Sequence, residues 1–283
     1  MTMRNELVQF VGQIPPVTRG ICLMMVLICL IQRLNVLPYY FGDFYWSLRE
    51  VVLKFQIWRL LTSFLILPND AMKACFDLYA VYSKSLHLEL VHFSNKSIDY
   101  LFYICFNFAL IIVLVEACQI SYPVFTNAFI GMVLYTWTLD NSNVKVMFYG
   151  LFPILGKYLS LVHLFVSFLF DDGTDGYSRF CVTMVGFCAG YVYSCLDTRT
   201  YGPLYGYLMG KDPGYGFFER GHFRSPRWFE STILWIGHVL SISKPVSSSL
   251  RNKPDPVTRR RLRTPLKKST FAGTGNRLGS KTE

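Results

Sequence analysis

Residues 101–115, LFYICFNFALIIVLV, pass without one charged side chain. A helix of about 20 such residues spans the hydrocarbon core of a bilayer, and a chain built on such runs has few alternatives, because lipid offers no partner to a bare backbone amide. Six segments are read this way: 17–34, 66–86, 98–118, 122–139, 147–170 and 177–196. The whole 283-residue chain agrees, being 52% hydrophobic and only 16% charged, against about a quarter charged in soluble domains. The expectation is an all-α membrane protein with six transmembrane helices.

The second segment is the weakest, since Asp70, Lys73, Asp77 and Lys84 interrupt it. The spacing predicts that Asp70/Lys73 and Asp77/Lys84 pair or face other helices. The first segment follows a basic residue as a signal peptide would, but no small-residue cleavage site comes after it, so it is read as an uncleaved span. The eight cysteines sit in apolar stretches with no ligand-like pattern and are expected to be buried small hydrophobes, with no metal site and no cofactor.

Charge sets the orientation. Residues 1–196 hold 12 Lys+Arg and 12 Asp+Glu, while 197–283 hold 16 and 6. By the rule that basic loops stay cytosolic, the segment after span six is cytosolic, and an even number of spans brings the N-terminus to the same side. The expected organisation is a cytosolic segment 1–16, a membrane domain 17–200, a loop and interfacial helix 201–242, and a disordered basic tail 243–283. Within that tail, RRRLR at 259–263 is read as attraction to an anionic leaflet, without nucleic acid as a partner.

Between spans one and two, YYFGDFYWSLREVVLKFQIW (39–58) is dense in aromatic rings with balanced charge. Such rings settle at headgroup depth, so this loop is expected in the lumenal interface. After span six, PRWFESTILWIGHVLSI is too short for a comfortable span and reads as a surface helix over 228–242.

Catalysis within the membrane would need a serine and a histidine base within hydrogen-bond reach. Of the histidines only His163 falls in a confident span, and the serines near it, Ser160 and Ser167, are on the same helix. Glu116 is near a span end and able to reach the interface. Lys157 lies about ten residues into its predicted span, behind Pro153 and Gly156; either it lines a polar cavity or it snorkels to the surface. Gly186 and Gly190 form a small-xxx-small face that lets another helix approach closely.

Together IPPVTR (14–19), QIWRLLTSFL (56–65), WTLDNSNVKVMFYGL (137–151) and GFCAGYVYSCLDT resemble the derlin family of rhomboid-like pseudoproteases, and within it the fungal derlins of the DFM type. The resemblance implies a six-helix rhomboid-like fold in the endoplasmic reticulum membrane with both termini cytosolic. It implies a non-enzyme, a retrotranslocation factor in endoplasmic-reticulum-associated degradation, with membrane-protein substrates, the lipid bilayer and a ubiquitin ligase complex as partners. The family's W-R motif falls on Trp58 and Arg59, and its small-xxx-small motif on Gly186 and Gly190. Tyr191 stands where animal derlins have a histidine, so no role of that histidine carries over.

The tail adds FAGTGNRLGSK at 271–281. It is similar to the SHP box with which derlins recruit an AAA ATPase of the valosin-containing-protein class, at Phe271, Gly273, Gly275, Arg277, Leu278 and Gly279. An extended peptide of this kind lays its glycine backbone against a partner and fills pockets with Phe and Leu. A second box, present in the DFM type, is not found. Two other readings stay open: a sphingolipid-regulatory scaffold, as the family also suggests, and an active intramembrane serine protease.

Overall fold

The computed structural model describes residues 14–34, 41–148, 152–171, 177–210 and 221–239, together with Gly12 and Tyr215. The tail expected to be disordered, with its SHP box, lies outside the described residues. The contacts divide the chain into one unit, Met1–Ile233, and a second beginning at Leu234.

The first unit is mostly helical. Its elements are α1 (Pro16–Arg33), a 3-10 turn (Phe41–Phe44), α2 (Leu48–Lys54), α3 (Arg59–Thr62), α4 (Ala71–His87) ending in a π turn (Leu88–His92), α5 (Ser97–Ala117) and α6 (Thr126–Asp140). Strands β1 (Lys145–Phe148) and β2 (Phe152–Leu155) follow, then α7 (Gly156–Leu169), α8 (Ser178–Thr198), α9 (Gly202–Leu208) and α10 (Arg227–Val239). In the second unit Leu234, Trp235 and Ile236 are exposed.

Helices α1, α4, α5, α6, α7 and α8 fall on the six expected segments. Among the described residues α1, α5 and α8 are long and apolar enough to cross a membrane, and α7 is a shorter apolar helix. α6 is central: residues 128–134 are all buried, as expected for a helix apolar on every side. α1 is peripheral, burying Thr18, Met25 and Ile28 while Leu23, Leu27 and Leu30 are about half exposed. Such an outward face suits lipid and not water. The cysteines follow the same logic: all eight are free thiols, and none is fully buried, which corrects the expectation of buried positions. A small apolar side chain has no reason to hide when the solvent itself is apolar.

The fifth segment differs from expectation. Residues 145–148 and 152–155 pair antiparallel, with Met147 opposite Pro153, and the helix starts only at Gly156. Proline has no amide to donate, so it belongs at a ribbon edge. Gly156 is required here, since a Cβ would overlap the Asn141 carbonyl oxygen. Among the described residues the fold is therefore helical with one short hairpin, and Lys157 lies in the first turn of α7, exposed, its ammonium 4.8 Å from the Tyr158 ring centre.

Contacts between loops sort the helix ends into two groups. On one side Arg33 Nη2 donates to Asn69 O (2.6 Å), Phe125 N to Ser63 O (2.8 Å) and Phe180 N to Asp171 Oδ2 (2.8 Å). On the other, Thr18 meets Glu89, His92 Nδ1 lies 2.8 Å from Asp140 Oδ2, and Lys157 N donates to Ser142 O (3.1 Å). The six helices thus alternate in direction.

Candidate functional site

The aromatic segment 41–58 is folded, and Arg59 is the reason. This residue is only 4% exposed. The guanidinium donates to Gly42 O (2.7 Å), Tyr45 O (2.6 Å), Asp43 Oδ1 (2.8 Å) and Gln56 Oε1 (2.5 Å). A rigid fork of five donors can hold several carbonyls at once, which an ammonium cannot. Thr62 Oγ1 adds a bond to Phe44 O (3.1 Å), one helical turn away on the same short helix.

Trp58, its neighbour in the motif, behaves oppositely. It is half exposed, with Nε1 donating to Asp43 O (3.3 Å). The far side of the turn is tied by Trp46, whose amide donates to Pro123 O (2.9 Å) and whose indole donates to Glu116 Oε1 (2.7 Å). Glu116 thus has a defined partner at the end of α5. Burial, with Tyr122 beside it, pushes the Tyr45 phenol above its ordinary value.

Between these anchors the arm turns its apolar side outward. Leu48, Val52, Leu53, Phe55 and Ile57 are all exposed, and Phe55 takes a left-handed backbone (φ 56°) to end α2. On the polar side of α2, Lys54 Nζ pairs with Glu50 Oε2 at 2.6 Å, and that hydrogen bond pulls the Glu50 carboxyl below its usual range. Two open hollows, about 480 and 310 Å³, flank Ser121–Pro123; Tyr45 and Ser178 line the first, Trp46 and Glu116 the second.

The glycine pair allows close approach as expected, but the helix it receives is the chain's own α6. A Cβ on Gly186 would overlap the Ala128 backbone, and one on Gly190 would stand 3.2 Å from Met132 O. Gly131 of α6 returns the contact, since a Cβ there would stand 3.1 Å from Thr183 O. This face is filled and is not open to a visiting helix.

Of the two arrangements expected for the α4 charges, neither ion pair closes among the described residues, and Lys84 instead faces another helix, α6. Asp70 caps the helix, accepting from Met72 N (3.2 Å), and the Lys84 ammonium sits 3.6 Å over the Trp137 ring. Ser160 Oγ lies 3.0 Å from Thr138 Oγ1, while His163 Nε2 is buried with no hydrogen-bond partner.

Sequence reasoning missed three carboxylates. Glu89, fully buried, accepts from Thr18 N (2.8 Å), Thr18 Oγ1 (2.7 Å) and Val17 N (3.3 Å), capping α1 from the π turn that ends α4. An acid there satisfies orphan amides and suits the helix dipole. It also explains the IPPVTR motif: Pro16 opens the helix and Thr18 brings a second donor. Asp99 and Asp197 hold the segment 221–225, with Asp197 Oδ1 accepting from Gly221 N (3.0 Å) and Phe223 N (3.1 Å).

A model of the Der1-like family matches residues 14–213, from the first helix past α9. DER1-like family member protein 1 of Saccharomyces cerevisiae is 38% identical, over 96% of this chain and 79% of its own length. Derlin-1.1 of Zea mays is 26% identical over 65% of this chain and 73% of its own, and Derlin-1 of Oryza sativa 22% identical over 86% and 92%. None of the three is named as a protease. Matched across its helical body and along most of a fungal relative, this chain belongs to the Der1-like, or derlin, family.

Proposed function

We propose that this protein is a non-catalytic retrotranslocation factor of the endoplasmic reticulum membrane, which moves misfolded or ubiquitinated membrane proteins to the cytosol for degradation. Family membership across residues 14–213 is the observation that carries this reading. The six alternating helices cross the bilayer with both termini cytosolic. The Arg59-pinned arm then lies in the lumenal interface, its exposed apolar side chains embedded among lipid headgroups and disturbing their packing. Lys157, in the first turn of α7, snorkels to the cytosolic surface.

Lipid disturbance alone does not extract a helix, whose insertion is worth many kcal/mol, so an AAA ATPase of the valosin-containing-protein class supplies the work. It binds through Phe271, Gly273, Gly275, Arg277, Leu278 and Gly279, while a ubiquitin ligase complex marks the client. A catalytic role has less support, because Ser160 is engaged by Thr138 and His163 Nε2 has no hydrogen-bond partner among the described residues.

The test is client turnover in cells deprived of their own family members. Expression of this chain restores decay of a misfolded multispanning membrane protein after translation is stopped. Unchanged decay of every membrane client tested refutes the reading. A cleaved client fragment that disappears with Ser160→Ala or Ser167→Ala replaces it with proteolysis.

A further inference from the structure

The segment after the sixth helix is held down by uncharged donors on carboxylates. Besides the two Asp197 bonds, His222 N donates to Asp197 O (3.2 Å) and Tyr193 Oη to Phe223 O (3.1 Å). The Phe223 ring sits among Phe102, Phe106 and Tyr193, with centroids 5.5, 5.0 and 5.7 Å away. The last tie is Ser225. Its amide (3.1 Å) and its hydroxyl (2.6 Å) both reach Asp99 Oδ1, and the same hydroxyl lies 3.0 Å from Glu230 Oε1.

One hydroxyl hydrogen therefore serves two carboxylates, and the arrangement holds only while Ser225 is a neutral donor. Ser225 is partly exposed. Pro226 follows it directly, with Arg224 before and Arg227 after the pair. A serine followed by proline, with an arginine next, is a peptide form that proline-directed protein kinases accept.

We propose that Ser225 is a phosphorylation site, and that its modification releases segment 221–226 from Asp99. In the kinase step the Ser225 oxygen attacks the γ-phosphorus of a nucleoside triphosphate. The new O–P bond forms as the bond to the β–γ bridging oxygen breaks, the diphosphate leaves, and the hydroxyl proton passes to a base of the kinase. The product has lost its donor and carries about −1.5 to −2 charge at neutral pH, set against two carboxylates. Arg224, Arg227 and the first amides of α10 lie on the released side and are counter-charges for it there. Arg224 is free to follow, being held over the Phe93 ring at 5.3 Å and not by an acid. The segment that leads into the tail is thereby a two-position element, docked when unmodified and released when phosphorylated.

The inference rests on the proposed cytosolic placement of 221–225, where kinases act. Purified full-length protein in detergent separates the two questions, because labelling there depends on local geometry alone. A proline-directed kinase with ATP is expected to label Ser225, read by phosphopeptide mass spectrometry. Amide hydrogen exchange across 221–225 is expected to rise about tenfold or more in the phosphorylated protein and in Ser225→Glu, the scale of losing a hydrogen bond to a charged group. Ser225→Ala loses the hydroxyl bond but adds no charge and keeps its amide on Asp99, so its exchange rises less than that of Ser225→Glu, with Asp197 and Phe223 still holding. Asp99→Asn, added to Ser225→Glu, brings exchange back toward wild type by removing one of the repelling charges. Exchange unchanged within about twofold on phosphorylation, or no relief from Asp99→Asn, overturns the switch. An unlabelled Ser225 in protein whose Thr264, also followed directly by a proline, is labelled overturns the site. Protection of 221–225 from protease added outside sealed microsomes instead contradicts the orientation.

Discussion

Replacing Arg59 with alanine should detach the aromatic arm while leaving the helical body folded. Three of the four Arg59 bonds cross to residues 42–45, and only the bond to Gln56 is local. The Asp43 side chain is 39% exposed, so it rehydrates, and its pair contributes about 1 kcal/mol or less. The Gly42 and Tyr45 carbonyls lose charge-assisted bonds of roughly 1.5 kcal/mol each at the lower end of the range, bringing the cost to about 3 to 4 kcal/mol. At about 1.4 kcal/mol per decade, opening of the arm becomes more frequent by a factor of roughly a hundred or more. Hydrogen exchange of a peptide covering 42–51, measured in lipid nanodiscs, reads this directly, since the amides of Trp46 and Val51 are bonded in the closed arm. Protection unchanged within about threefold in a folded Arg59→Ala protein refutes the reasoning. Arg59→Lys keeps a charge beside Asp43 but has no fork, so it should fall between the two.

The glycine seam is expected to be steeply position-dependent: Gly186→Ala, facing backbone, costs about 3 kcal/mol or more, whereas Gly190→Ala, at 3.2 Å, is far milder; folded yield by size-exclusion chromatography ranks them. Glu89→Ala strands the buried Thr18 amide and hydroxyl and should cost about 3 kcal/mol, with Glu89→Gln closer to 1, checked by thermal aggregation of the two variants in one detergent. Phe271→Ala should lose the ATPase in pulldowns from cell extracts without altering the membrane domain. Equal recovery removes the tether from the mechanism.

A helix falls on each of the six expected segments, but among the described residues only α1, α5 and α8 have the long apolar run that a bilayer demands, with α7 a shorter apolar helix. The misreading at 147–155 has a physical source: a short apolar stretch reads equally as strand or helix, and Pro153 was the residue that should have decided it. Adjacent residues hid opposite fates in the W-R motif. Trp58 is half exposed, while Arg59 is buried because carbonyls 14 and 17 residues upstream converge on it. Glu89 and Asp99 gave no local signal at all, since their partners lie 71 and 126 residues away. The glycine pair was legible as close packing, but the identity of the packed helix was not, because α6 announces itself only by being apolar all round.

Extraction of a ubiquitinated membrane client from isolated microsomes tests the central claim most directly. With ATP and cytosolic ATPase added, microsomes containing this protein should release the client at full length into the soluble fraction, and release should stop when ATP is withdrawn or when Phe271 is replaced by alanine. Release that proceeds without ATP, or that yields only cleaved client, contradicts the account.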